Sequence, residues 1–244
     1  MTAAQLNHME DGIAAAAGGG SGGGFTETDK TLATADKPAD AKATGDAIRE
    51  IQATLEELTY KAIAITSFTS NHPSNEMGAT VSQTVFTWSV NKTPTTISAT
   101  FGSVKTGDTS FTYATAINKD TTFTLTVSDE KKTASATTKV AFMNGVYSGV
   151  AEERTVNNAF ILKLSRNLQT SKAKTISVTA GANQYIWYAL PTRYGTPSFN
   201  VGGFDGGFSK IQTISFTNAS GYTEKYDVWR SDNAGLGTTT VKVS

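Results

Sequence analysis

The chain has 244 residues, 21 basic and 21 acidic side chains, and no cysteine. At roughly 100 to 200 residues per domain, this length allows two or three compact domains. The balanced charge argues against a nucleic-acid partner or an anionic membrane surface, and the lack of cysteine excludes disulfides and thiolate chemistry. No segment reaches the roughly 18 consecutive apolar residues of a membrane span, and the start lacks the basic and apolar regions of a secretory signal.

Residues 1–17 predict a short amphipathic helix. Thr2 and Gln5 match a capping box, in which both side chains satisfy free donors at the helix start. Three apolar residues then follow at spacings of three and four on one seam: Leu6, Met9 and Ile13. Because an isolated helix of this length is marginal, we expect this segment to need a partner.

Residues 18–35 predict a flexible linker, which begins with the run GGGSGGG. Glycine and serine offer no side chains that pack, so such a run behaves as a random coil. Two origins of the run fit the sequence: a native linker and an engineered junction.

Residues 36–62 predict a second helix with a coiled-coil seam. Asp36 is a candidate N-cap, and Pro38 falls in the first turn, where its missing donor does no harm. The large seam residues repeat at spacings of three and four: Ile48, Ile51, Leu55 and Leu58. So narrow a stripe favours a coiled coil over a helix packed on a globular core. The isoleucine pair favours three or more strands, although the leucine pair weakens that rule, and we predict a homotrimer.

From residue 63 to the C-terminus, alternating apolar and polar residues predict β structure, interrupted by turn clusters such as NHPSNEMG and NKTP. The clearest strands are predicted at 63–68, 81–90, 96–101, 110–116, 122–127, 134–142, 174–179, 184–190, 210–216, 224–229 and 238–243. We predict an Ig-like β-sandwich without a disulfide over 63–143 and a second β-sandwich module over 144–244. The predicted fold class is mainly β, with a helical coiled-coil stalk before two sandwich modules.

Residues suited to catalysis are sparse. The two histidines, His8 and His72, have no second His or Cys at ligand spacing, so no metal site is predicted. The sequence lacks a G-x-S-x-G elbow and a phosphate-binding glycine loop, and its C-terminal carboxylates show no pairing suited to glycan cleavage. We therefore predict no catalytic residue, no metal, no cofactor and no enzymatic activity.

Aromatic residues are concentrated near the C-terminus, and both faces of the strand at 184–190 carry large rings. Two interpretations fit: a core with a subunit interface, where aromatic residues are also enriched, or a sugar-binding surface. The candidate glycan-binding residues are Trp187, Tyr188, Arg193, Tyr194, Asp205, Trp229, Arg230 and Asp232.

Residues 31–48, TLATADKPADAKATGDAI, resemble a segment of bacteriophage and prophage tail-fibre and baseplate proteins. The N-terminal TAAQLNHMEDGIAAA resembles the start of the same proteins, and residues 173–208 and 214–237 are similar to their terminal module. The region between matches only a generic Ig-like domain. The resemblance implies a homotrimeric virion part that is assembled in the host cytoplasm and attached to other tail or baseplate proteins through its N-terminus.

We therefore expect a phage structural protein whose trimeric stalk presents β modules and contributes to recognition of bacterial surface polysaccharide. One alternative is a purely structural spacer that contacts other virion proteins. A polysaccharide-degrading tailspike is a weaker alternative, because no acid and base pair is evident. We expect neither a nucleic-acid partner nor insertion into a membrane.

Overall fold

The computed structural model describes residues 41–152 and 155–244, and these residues are mainly β. The predictions for residues 1–40, which include Leu6, Met9, Ile13 and the Gly-rich linker, lie outside the described residues. The chain divides into a first unit that ends at Lys61 and a β unit that spans Ala62–Ser244.

Helix α1 spans Ala41–Thr59, within the predicted segment 36–62. On its polar side Asp46 pairs with Lys42 at 2.6 Å and with Arg49 at 2.7 Å. These pairs are four and three residues apart, the spacings at which side chains meet on a helix surface. The helix therefore carries its ion pairs on one side and its predicted seam on another.

Six strands form the first half of the β unit, residues 62–142. They are β1 (Ile65–Ser70), β2 (Ser74–Glu76), β3 (Thr84–Val90), β4 (Thr96–Ala99), β5 (Ser110–Tyr113) and β6 (Thr121–Ser128). Strands β1, β3 and β5 form a three-stranded antiparallel sheet, and β4 and β6 pair along the edge of a larger sheet. The predicted strands of this half are thus found, most of them within three residues of their predicted ends.

A single aromatic core lies between these two sheets. Phe86 and Trp88 of β3 alternate inward on one side, and Phe123 and Leu125 of β6 do so on the other, with Phe101 between them. The rings of Phe86 and Phe101 are 4.5 Å apart, within the range of a favourable aromatic pair. Period-two burial on both sheets gives this half a β-sandwich-like arrangement.

Strand β7 (Thr133–Ala151) has 19 residues and runs through both halves of the β unit. Its first part pairs with β6, and its last part pairs with strands of the second half. The alternating pattern predicts a strand that ends at Phe142, and the asparagine and glycine that follow it are residue types common in turns. Instead, Asn144 is buried within the strand, and the predicted boundary between residues 143 and 144 falls inside β7.

The second half contains eight further strands and a short helix. The strands are β8 (Ser165–Gln169), β9 (Lys174–Ala180), β10 (Tyr185–Pro191), β11 (Phe199–Val201), β12 (Phe204–Asp205), β13 (Phe208–Thr217), β14 (Thr223–Ser231) and β15 (Gly237–Val243). Helix α2 spans Asn158–Lys163, and a 3-10 turn spans Thr192–Tyr194. The large sheet has the order β13-β14-β10-β7-β6-β4, with β2 and β8 also paired to β7, and β12-β11-β15-β9 form a four-stranded sheet.

In the second half, the central strands of the large sheet are buried on both faces, whereas its edge strand β13 is mostly exposed. On one face of β10, Ile186, Tyr188 and Leu190 pack against the four-stranded sheet. On the other face, Trp187 packs with Phe160 of α2, at a ring separation of 4.8 Å. Helix α2 is fixed at its start by Asn157, whose side chain accepts a hydrogen bond from the Phe160 amide. The two faces of large rings on β10 therefore belong to two different cores.

Candidate functional site

The predicted oligomerisation seam is exposed along α1. Ile48, Ile51, Leu55 and Leu58 are exposed by 50%, 66%, 57% and 79%, respectively. Large apolar side chains left open in a continuous row are typical of an association surface. The structure holds one chain, so the homotrimer itself stays a prediction.

Trp187 and Tyr188, two candidate glycan-binding residues, are fully buried. The Trp187 indole donates a hydrogen bond to the Ala151 carbonyl at 3.2 Å, and the Tyr188 hydroxyl donates to the Lys172 carbonyl at 2.7 Å. Burial raises the pKa of Tyr188 well above its usual range. Because β10 is a central strand covered on both faces, neither ring is available to stack on a sugar, which corrects the prediction for these two residues.

Trp229 and Arg230 contact rings of the protein itself. Trp229 is partly buried, and its ring lies 5.5 Å from that of Phe199. The Arg230 guanidinium lies 4.2 Å from the centre of the Tyr185 ring, in the geometry of a cation–π contact. Both side chains therefore have packing partners within the second half.

Asp205 and Asp232 are exposed; Asp205 is the last residue of β12, and Asp232 directly follows β14. Asp205 accepts a hydrogen bond from the Asn200 amide at 2.7 Å, and Asp232 accepts one from the Ser209 hydroxyl at 2.6 Å. Phe204, the neighbour of Asp205 in β12, is 81% exposed. The glycine-rich run VGGFDGGF at residues 201–208 contains the short strand β12, which pairs with β11.

Four glycines surround Phe204 in left-handed conformations. The φ angles are 58° and 99° at Gly202 and Gly203, and 100° and 77° at Gly206 and Gly207. Residues that carry a side chain rarely adopt such backbone angles, which explains why glycines flank Phe204 on both sides.

Arg193 and Tyr194, the two remaining candidates, line a cleft between the two halves of the β unit. They lie on the 3-10 turn that follows β10. The cleft has a volume of about 380 Å³, within the range of roughly 300–1,000 Å³ found for ligand sites. Its other lining residues are Met77, Asn118, Lys119, Asp120, Phe142, Met143 and Thr170.

Two carboxylates, Asp120 in the cleft lining and Glu224 beside the lining residue Arg193, are each paired with a cation. Asp120 lies 2.6 Å from the Lys139 ammonium and accepts a hydrogen bond from the Phe142 amide at 2.7 Å. The hydrogen bond from Lys139, followed by that from Phe142, lowers the pKa of Asp120. On the opposite side, Arg193 Nε lies 2.8 Å from Glu224 Oε1. Each carboxylate thus forms a neutral pair.

Lys119 adds an uncompensated positive charge to this cleft. No carboxylate among residues 41–152 and 155–244 forms an ion pair with it. Tyr194 contributes a partly exposed ring that is fixed by a hydrogen bond from its hydroxyl to the Gln169 carbonyl at 2.7 Å. Burial raises the pKa of the Tyr194 hydroxyl, so the ring stays neutral at physiological pH. The cleft therefore combines a net positive rim with a neutral aromatic side chain.

We did not predict the contribution of residues 118–120 to a site. Their sequence, NKD, indicates a turn and nothing more. They are more than 70 positions from Arg193, and only the pairing of β7 with both β6 and β10 brings the two segments together.

No protein-family model matches the chain, and no curated protein matches its sequence. In the part of the chain that the structure describes, no three His, Asp or Glu side chains are grouped to hold a metal ion. Among the same residues, no helix combines the length and the apolar character of a membrane span.

Proposed function

We propose that the chain is a non-enzymatic structural protein of a bacteriophage or prophage tail, in a tail fibre or a baseplate. A homotrimeric helical stalk presents two β-sandwich modules, the first Ig-like, and the protein contributes to recognition of host-surface glycan. Its N-terminus joins other tail or baseplate proteins, and the assembled protein resides in the virion. The phage assignment rests on the sequence resemblance of both ends of the chain.

The observation that carries this proposal is the open seam of α1. Fully burying a leucine or isoleucine side chain contributes roughly 1.5–3 kcal/mol. Four such side chains are at least half exposed on α1, and helices in proteins gain most of their stability by packing an apolar face against a partner. Self-association through the seam removes these side chains from water and stabilises the helix at the same time.

The stalk is tested by light scattering on the full chain. Replacing Ile51 and Leu55 with aspartate places charges in the seam, so we expect a monomer where the unmodified chain gives the mass of a trimer. The control carries Ala53→Asp and Glu57→Asp, which place two aspartates on the same helix away from the seam, and it should keep the trimer mass. A monomeric unmodified chain, or a trimeric seam variant, contradicts the proposal.

Glycan recognition is supported by the cleft, which Arg193 and Tyr194 line together with residues 118–120. The alternative of a purely structural spacer is favoured by a different observation, the complete burial of Trp187 and Tyr188. Binding of the full chain to cells or isolated surface polysaccharide of a susceptible bacterium distinguishes the two. A trimer that binds neither supports the spacer.

The tailspike alternative has less support. Retaining and inverting glycosidases use two carboxylates that flank the scissile bond. Asp120 is the one carboxylate among the residues that line the cleft, and it is paired with Lys139. Release of reducing ends from a bound polysaccharide would reinstate this alternative.

A further inference from the structure

We propose that the cleft between the two halves of the β unit binds an acidic saccharide, one that carries a carboxylate or phosphate group. This inference rests on the proposed glycan recognition and deepens it by naming the site and the chemical class of the ligand. Residues 118–120 form one side of the site, and Arg193 and Tyr194 form the other.

The charges at the cleft favour an anion. The pairs Asp120–Lys139 and Arg193–Glu224 each sum to zero, and Lys119 leaves one net positive charge. Glu224 is also held by the side-chain amide of Asn144, which donates to its second oxygen. Both oxygens of this carboxylate are therefore engaged within the protein.

Arg193 retains hydrogen-bond donors for a ligand. A guanidinium has five N–H groups in a planar fork, and the ion pair to Glu224 Oε1 uses the Nε–H. The side chain is 51% exposed, so other N–H groups can reach an acceptor that enters the cleft. Guanidinium groups suit carboxylate and phosphate because two parallel N–H groups match two oxygens.

The cleft also has the apolar surface that a sugar ring requires. Met77, Phe142 and Met143 line it, and Phe142 is almost completely buried beneath the other residues. Ligand sites commonly combine such apolar surface with a few fixed polar groups that orient the ligand. The C–H face of a sugar can contact the apolar side chains and the Tyr194 ring while its acidic group faces Lys119 and Arg193.

Calorimetric titration of the full chain tests the class of ligand. The probes are a hexamer of galacturonic acid, a glycerol-phosphate oligomer and a neutral hexamer of glucose. We expect binding of at least one acidic probe, weaker binding at higher salt because the charges are near the surface, and at least tenfold weaker binding of the neutral probe. The two acidic probes distinguish carboxylate from phosphate as the recognised group.

Substitutions of exposed residues at the rim of the cleft test where the acidic probe binds. Lys119→Gln should weaken binding of the acidic probe about two- to fivefold, as expected for one exposed charge pair. Asn118→Lys should strengthen it and Asn118→Asp should weaken it by similar factors, with little effect on folding because Asn118 is exposed. Arg193→Gln should cost at least about tenfold, because a charged hydrogen bond is lost. Lys105→Gln removes an exposed lysine outside the cleft and serves as the matched control.

Three outcomes overturn the inference. They are equal binding of the neutral and acidic probes, loss of binding in Lys105→Gln as large as in Lys119→Gln, and an unmodified trimer that binds no acidic probe. The mass of the chain is measured in the same samples. A trimer that does not bind the acidic probe contradicts the proposed ligand site but not the trimeric stalk. A monomer that binds the acidic probe contradicts the trimeric stalk but not the ligand site.

Discussion

Arg166 Nη1 of β8 lies 2.6 Å from Glu76 Oε2 of β2, and this ion pair joins the two halves of the β unit. Glu76 is only 6% exposed. Its carboxylate also accepts hydrogen bonds from the hydroxyl groups of Ser220 at 3.0 Å and Tyr147 at 3.3 Å. A buried carboxylate with three donors from the second half of the unit fixes the position of β2 against that half.

Replacing Glu76 with alanine should destabilise the β unit by about 2–3 kcal/mol. Breaking a fully buried pair costs roughly 3–5 kcal/mol, but Arg166 is 42% exposed and regains hydration, which reduces the loss. Denaturant unfolding measures the change. Lys139→Gln, which breaks the half-exposed pair with Asp120, should cost less than about 1 kcal/mol, and equal losses in the two variants would contradict the structural role of Glu76.

Trp187→Ala should destabilise the β unit by about 3–5 kcal/mol, because it removes a completely buried ring and leaves a cavity beneath α2. Phe204→Ala is the matched control, since this ring is 81% exposed and its loss should change stability by no more than about 0.5 kcal/mol. Thermal unfolding with near-ultraviolet circular dichroism measures both. A Trp187 variant as stable as the unmodified chain would show that the ring is accessible.

Gly145→Ala should destabilise the β unit by about 1–3 kcal/mol, as overpacking in a dense core does. An added Cβ would lie 2.8 Å from Tyr147 Cε2 and 2.9 Å from Arg166 Cγ, closer than carbon atoms pack. Gly45→Ala in α1 provides a contrast, because only Arg49 comes within 4 Å and alanine favours helix formation. Chemical denaturation compares the two, and an unchanged midpoint for Gly145→Ala would refute the close approach at this position.

Acidification should remove the small contribution of the Asp120 ion pair to stability. The hydrogen bonds from Lys139 and Phe142 lower the pKa of Asp120 in the folded chain, so the unfolded chain takes up its proton first as pH falls. The contribution is therefore complete above about pH 4 and disappears as pH falls through the lowered pKa of the folded state. The difference in Tm between the unmodified chain and Asp120→Asn should shrink from pH 6 to pH 2. A constant difference would contradict this origin.

Most strands were predictable because period-two patterns report burial directly. In β6, Phe123, Leu125 and Val127 alternate inward, and all three are buried. The large rings on both faces of β10 fitted two interpretations, a core with a subunit interface and a sugar-binding surface, and the burial of Trp187 and Tyr188 agrees with the core. Strands β11 and β12 have three and two residues, too few for any period to show.

The extent of β7 and the cleft were not predictable, for different reasons. Asn144 and Gly145 resemble a turn, yet Asn144 is satisfied by Glu224, and Gly145 is required by the close approach of Tyr147 and Arg166. Glu224 and Arg166 are distant from residues 144 and 145 in the sequence, so the local pattern does not report these contacts. The cleft depends on which turns the sheet places next to each other, and neither Lys119 nor Arg193 carries that information locally.

Strand β7 has a consequence for how such a protein can change over time. Genes for modular proteins exchange parts at linkers, where a cut leaves each core whole. Here Val140 belongs to the first core and Val146 to a second one, and both lie on the same unbroken strand. Recombination between the codons of these two valines would have to preserve the strand pairing of β7 in both halves of the β unit. We therefore expect residues 62–244 to be inherited as a single block.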